Sequence, residues 1–199
     1  MARNKLSDCD ILFRKFFDRW YTKEDREHRP YTATRPDMEQ LSIPPGAKAS
    51  ELSPLTATTI DEVQGQISSM RSAAADDWPT YLKVSAPISL EWIAAFDSHY
   101  DRDAVQKVVA RSQASDFSND YVVLCCELGA ILGEVLLQQN RRLQWLYDRP
   151  YWESAIFDPG SNFRVNVFHW AVKKMSDYGV EDGLVGKIQG CLQRIEETS

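Results

Sequence analysis

The chain of 199 residues lacks the short signatures by which many enzymes and cofactor-binding proteins declare themselves. It has no phosphate-binding glycine loop, no dinucleotide fingerprint, no nucleophile elbow and no metalloprotease helix. Its four cysteines, Cys9, Cys125, Cys126 and Cys191, form no CxxC pair, so zinc-ribbon and thioredoxin-like readings have no support. They are expected to be buried thiols, because free Cys behaves as a small core residue. Neither a metal nor a cofactor is expected.

A basic excess is also missing. Lys and Arg number 23 against 29 Asp and Glu, a formal net charge of −6. Nucleic-acid binders draw most of their affinity from neutralising phosphates, so that class is disfavoured and a basic partner fits better. Long apolar runs are absent: the longest, Tyr121 to Cys126, falls far short of the roughly 20 residues that cross a bilayer. The basic start, Met1 to Lys5, leads into Asp8, Asp10, Arg14, Lys15 and Asp18 instead of the apolar core of a signal peptide. A cytoplasmic protein without membrane contact is therefore expected. Repeats and low-complexity tracts are not found.

The hydrophobic fraction of 43%, with six Trp, eight Tyr and eight Phe, is enough to fill a core. From Ser7 to Thr22 the residues Cys9, Leu12, Phe13, Phe16, Phe17 and Trp20 recur at helical steps, with Ser7 or Asp8 as N-cap. Such a stripe must cover something, and docking on the main core is expected ahead of a partner contact. From Glu24 to about Thr59 the pattern dissolves among Pro30, Pro36, Pro44, Pro45 and Pro54, which reads as an extended loop or linker able to wrap the following domain. The chain divides accordingly into a helix at 1–23, a Pro-rich segment at 24–58 and a main domain at 59–199.

In that domain Thr59 and Glu62 form a capping box for a helix ending between Ser72 and Asp77. Trp78-Pro79 then opens an extended segment, with Thr80 to Val84 a strand candidate. Helices follow at Leu90 to His99 and from Asp101 or Arg102 to Arg111, and Ser118 caps the most hydrophobic one, Asp120 to Gln139. Apolar residues run almost all the way round that helix, which makes it central. Strands are expected at Leu143 to Tyr147, Tyr151 to Phe157 and Phe163 to Phe168, with an Asp158-Pro-Gly turn between the last two. Two helices, Trp170 to Tyr178 and Glu181 to Glu196, close the chain. The fold class is α+β, mostly helical, with about three antiparallel strands near the C-terminus.

Glu127 and Glu134 stand seven apart on one face of the central helix. They read either as a carboxylate pair with raised pKa or as structural acids bonded to a backbone N–H, Arg141 or Lys173. His28 lies in the Pro-rich stretch and is expected to be solvated; His99 ends a helix, where a cation is favoured. His169, at a strand-to-helix junction, is the best-placed histidine for catalysis, but no motif sets a nucleophile beside it.

The series Leu128-Gly-Ala-Ile-Leu-Gly-Glu134, then Trp145, a hairpin, and His169-Trp170-Ala-Val-Lys173-Lys174 resembles small bacterial domains of unknown function. That group is built around an LGxxLGE helix, a following Trp, a hairpin and a Lys-bearing helix. The resemblance spans about Ser89 to Tyr178 and implies an α+β fold. Some similar chains accompany secreted toxins as immunity partners. It implies structural roles for Gly129, Gly133, Glu134 and Trp145 and carries no catalytic residue.

These observations favour a non-catalytic protein-binding protein, most concretely an immunity or adaptor protein that neutralises or carries a secreted effector. Asp97, Asp101, Asp103, Asp116 and Asp120 are its candidate binding surface, solvated cap and loop positions being the other reading. Two alternatives stand beside it. One is a hydrolase-type enzyme using Glu127, Glu134 and His169, which requires the three to share a pocket. The other is a regulatory module binding a small ligand among Trp145, Trp152 and Trp170.

Overall fold

The structure, a computed structural model, describes residues 6–27, 35–44 and 46–198. It is α+β and mostly helical, as the periodicities predict, with one four-stranded antiparallel sheet instead of three strands. His28 lies outside the described residues.

Helix α7 (Asp120–Gln139) occupies the centre, and most of its side chains are buried on every side. Its N-cap is Asn119, one residue after the expected Ser118; the Asn119 side chain accepts from the Val122 N–H at 3.1 Å. Helix α8 (Val167–Lys174) and helix α4 (Ala57–Leu82) make its most extensive contacts. Two glycines set how close the neighbours come. A Cβ on Gly129 would meet the Phe168 ring at 2.2 Å, and one on Gly133 would meet the Trp145 ring at 2.3 Å. Both rings therefore lie against bare helix backbone, which offsets the helix-propensity cost of roughly 1 kcal/mol for each glycine.

Helix α4 departs from the sequence reading at both ends. It starts after Thr56, whose hydroxyl accepts from Thr59 N–H, so the Thr59–Glu62 capping box is displaced by three residues. It then continues through Pro79 to Leu82, where an extended segment and a strand at Thr80 to Val84 were expected. Proline removes a helical donor and costs about 3 kcal/mol in a helix interior. Trp78 overrides that preference: it is fully buried, packs on Trp92 and Phe96 at 6.1 and 5.1 Å, and donates its indole N–H to Glu127 Oε2 at 2.9 Å. Lys83, at φ 57°, ends the helix.

Helices α5 (Leu90–His99) and α6 (Arg102–Arg111) occupy the predicted positions. Helix α1 (Cys9–Phe16) is capped by Asp8 and shorter than expected, passing into a 3₁₀ turn at Asp18–Trp20. Its aromatic stripe docks on the core: Phe16 stacks on Tyr121 at 4.5 Å and Phe13 on His169 at 5.2 Å. A short helix, α2 (Lys23–Glu27), follows.

The sheet order is β1 (Met38–Gln40), β4 (Phe163–Val165), β3 (Ala155–Asp158), β2 (Gln144–Leu146). Strand β1 comes from the Pro-rich stretch and pairs Met38 with Val165 and Gln40 with Phe163. Three residues are too few to reveal alternation, so only pairing exposes it. The strand expected at Tyr151 to Phe157 begins as a 3₁₀ turn, Tyr151–Glu153, and the strand expected to reach Phe168 stops at Val165. Asp158 holds the β3–β4 turn by accepting from Ser161 N and Oγ at 2.9 and 2.7 Å. Asn162 there takes the left-handed conformation, φ 58°. Ile156 and Val165 join the main core, while Leu146 and Phe157 pack with Leu41, Ile43 and helix α3 (Ala49–Leu52) in a smaller one. Helix α9 (Leu184–Thr198) closes the molecule with Leu184, Ile188, Cys191 and Ile195 buried. All four cysteines are free and buried. Among the described residues no helix is long and apolar enough to cross a membrane.

Gly129→Ala should lower stability by about 1–3 kcal/mol, because the added Cβ must displace a buried ring. Gly186→Ala, in α9 where the Cβ meets open space, should raise it by up to about 1 kcal/mol. Thermal melts of the two variants check the pair, and equal melting temperatures would refute the close-packing account.

Candidate functional site

Three polar constellations stand out among the described residues. The first is buried and knits residues 35–37 to the body. Glu153, from the 3₁₀ turn before β3, pairs with Arg35 at 2.6 Å, accepts from the Tyr21 hydroxyl, and lies 3.5 Å from His169 Nε2. Arg35 N–H donates to His169 Nδ1 at 3.0 Å. One turn along α8, Lys173 Nζ donates to the Arg35 carbonyl at 2.9 Å and to Asp37 Oδ1 at 2.8 Å, and Lys187 Nζ reaches Asp37 Oδ2 at 2.7 Å. Trp170 and Asn166 donate to the carbonyls of Asp37 and Pro36. Burial alone would raise the Glu153 carboxyl; the charge and hydrogen bond of His169, the Arg35 guanidinium and the Tyr21 hydroxyl outweigh it and hold the group far below the ordinary carboxylate range. This arrangement ties down an extended segment, and His169 is one of its clamps.

The second is Glu127. Its carboxylate is buried in α7 and accepts from the Trp78 indole. Burial pushes its pKa up to about 7; the Trp78 hydrogen bond opposes that shift, and the charge of Asp77 adds to it.

The third opens to solvent. Gln64, Ile67, Ser68 and Arg71 follow one another along a single face of α4, spaced at one turn. Opposite them are Ala130, Glu134 and Leu137 of α7, together with Trp145 and Tyr147, which share one face of the chain at β2. They enclose a groove of about 220 Å³. Trp145 is seated against Gly133, and the Trp145 and Tyr147 rings lie nearly parallel, 6.2 Å apart. Arg71 Nη1 donates to Glu134 Oε2 at 3.0 Å, and Gln138 Nε2 to Glu134 Oε1 at 3.0 Å. Burial raises the Tyr147 hydroxyl, and the nearby Arg71 charge opposes it.

Glu127, Glu134 and His169 thus sit in three different settings and share no hydrogen bond, ion pair or ring contact. Glu134 pairs with Arg71 instead of the expected Arg141 or Lys173. Of the three tryptophans expected to line one ligand site, only Trp145 faces the groove. Trp152 and Trp170 are buried and donate to Tyr21 Oη and the Asp37 carbonyl. The five predicted aspartates are dispersed. Asp97 is drawn inward, accepting from Leu184 N–H at 2.8 Å and pairing with Lys174 at 3.0 Å. Asp101 caps α6, with Asp103 exposed in its first turn. Asp116 accepts from Ser118 N–H and Asp120 pairs with Arg111, at the other end of α6, about 15 Å away for a ten-residue helix. Arg35, Asp37, Arg71, Tyr147 and Glu153 were not singled out in the sequence. Of these only Tyr147 carried a signal, its two-residue spacing from Trp145 beside a glycine-bearing helix.

Glu127 and Glu153 give stability opposite pH slopes. Glu127 binds its proton more tightly folded, at about 7 against an ordinary 4.5, so its protonated form contributes fully below about pH 4.5 and that contribution is lost as pH rises to about 7. Glu153, shifted down, contributes above its ordinary 4.5 and loses that contribution as pH falls below it. Glu127→Gln, which keeps an acceptor for Trp78, should flatten the slope between pH 5 and 7 and stabilise the protein at pH 8 by on the order of 3 kcal/mol. Denaturant titrations across that range check it, and an unchanged slope would count against the assignment.

Comparison of the chain with protein-family models, curated proteins and solved structures returned no match.

Proposed function

We propose that this chain is a cytoplasmic, non-catalytic protein-binding protein of the immunity or adaptor kind, recognising a basic partner such as a secreted effector. The observation that carries the reading is how the charges are sorted. Most cations near the core are engaged: Arg35, Lys173, Lys174 and Lys187 tie down buried segments, and Arg71, Arg102 and Arg111 are each ion-paired. Along α4 to α6 the six acids Asp61, Glu62, Asp76, Asp77, Glu91 and Asp103 are exposed with no ion pair among the described residues, against two such cations, Lys83 and Lys107. An unneutralised acidic field speeds encounter with a basic surface and discriminates against acidic ones. Of the aspartates expected at the interface, Asp101 and Asp103 belong to this stretch. The LGxxLGE-to-Lys resemblance supports the same class.

A tagged full-length chain should recover one basic protein from native extract, and the purified pair should bind with a rate that falls steeply with salt. Asp76→Lys/Asp77→Lys/Asp103→Lys should slow association about tenfold or more at low salt. Recovery of no partner, together with turnover of a substrate panel by the purified chain, would overturn the reading.

A further inference from the structure

We propose that the groove between α4, α7 and β2 is a binding site for a compact carboxylate with a flat apolar body, a ligand class separate from any protein partner on the acidic face. Hydrogen-bonding groups in the groove are unevenly used. The one acid in the groove, Glu134, already has an acceptor bond on each oxygen, from Arg71 and from Gln138. Groups able to donate are left over. Among the described residues no hydrogen bond engages the Gln64 amide, the Ser68 hydroxyl, the Trp145 indole N–H or the Tyr147 hydroxyl. Arg71 uses only Nη1, with its side chain 44% exposed. Its Nε and Nη2 form the side-on fork that matches the two oxygens of a carboxylate. The Trp145 indole and the Arg71 guanidinium can only donate, and the amide and the hydroxyls can turn a donor to match. The one carboxylate that could hold an ammonium is already ion-paired to Arg71, so the set favours an acceptor-rich anion.

The walls specify the remainder of the ligand. Trp145 and Tyr147 present parallel faces, and Ile67, Ala130 and Leu137 complete an apolar floor. At about 220 Å³ the groove falls below the roughly 300–1,000 Å³ of drug-sized sites, so it suits one flat ring system or a short branched chain. Gly133 fixes the geometry, because any larger residue would lift Trp145 off the helix.

The test titrates the full-length chain with phenylacetate, indole-3-acetate and a short peptide ending in Phe with a free carboxylate, following the Trp145 indole N–H by NMR. Phenylacetamide and phenethylamine are the neutral and cationic controls. The carboxylates should bind with dissociation constants between about 10 µM and a few millimolar, as ligands of this size allow. The amide should bind at least about tenfold more weakly, for want of the charge-assisted pair. Arg71→Gln should abolish the preference for the acid over the amide, and a melt of that variant confirms that it folds. Tighter binding of the peptide assigns the carboxylate to a chain terminus, and tighter binding of the free acids assigns it to a small molecule; both support the chemistry. Equal binding of acid and amide, tighter binding of the amine, or no shift at about 10 mM, beyond the affinities such ligands reach, would overturn it.

Discussion

Two rings resting on the bare backbone of one helix set the distances on which the molecule depends. Phe168 against Gly129 brings α8 onto α7, and Trp145 against Gly133 brings β2 onto the same helix one turn later. Once these contacts form, the hairpin from β3 to β4 has no freedom to slide, because β2 pairs with β3 and α8 follows directly from β4. A single pair of missing side-chain atoms thus fixes both the layer spacing and the position of the sheet. Close packing of this kind is unforgiving, since dense interiors transmit displacement instead of absorbing it.

The charged interior follows a different logic. Glu127 and Glu153 are both buried acids, yet their environments drive them apart. Glu127 has one neutral donor, so desolvation wins and the proton is retained close to neutral pH. Glu153 has His169, Arg35 and Tyr21, so the anion wins. Removing one partner of such a buried set leaves an uncompensated charge, which is costlier than the pair was stabilising. That asymmetry explains how residues 35–37, with no helix and only a three-residue strand after them, stay attached to the body.

Period carried most of the fold in the sequence. The bounds of α5, α6 and α7 follow from apolar spacing, because each buries a regular face. Three features were hidden for identifiable reasons. Pro79 reads as a helix stop on local sterics, and only the partners of Trp78 outweigh it. Strand β1 is recognised solely through its register with β4. Alternation across Phe163 to Phe168 continues the strand pattern past Asn166, where the chain has already turned into α8. The candidate site was half legible for the same reason. Glu134 and Trp145 stood out near the glycines, but Arg71 lies 63 residues from its partner Glu134, and no local pattern links positions so far apart.

Charge sorting connects the acidic face to the groove. A chain with six more acids than bases would be expected to repel anions everywhere on its surface. Local geometry defeats that average where α4 lines the groove with α7 and Trp145. Arg71 neutralises Glu134, Gln138 occupies that acid's other oxygen, and Trp145 of β2 with Tyr147 just after it supplies two aromatic faces and two groups able to donate. The groups that line the groove act at contact distance, whereas charges more than one Debye length away, about 8 Å at physiological salt, are largely screened. Helix α4 therefore carries both exposed carboxylates, Asp76 and Asp77 among them, and the donors of the groove, Arg71 among them. What either surface could hold is set by the few residues within reach, and the net charge governs only the approach.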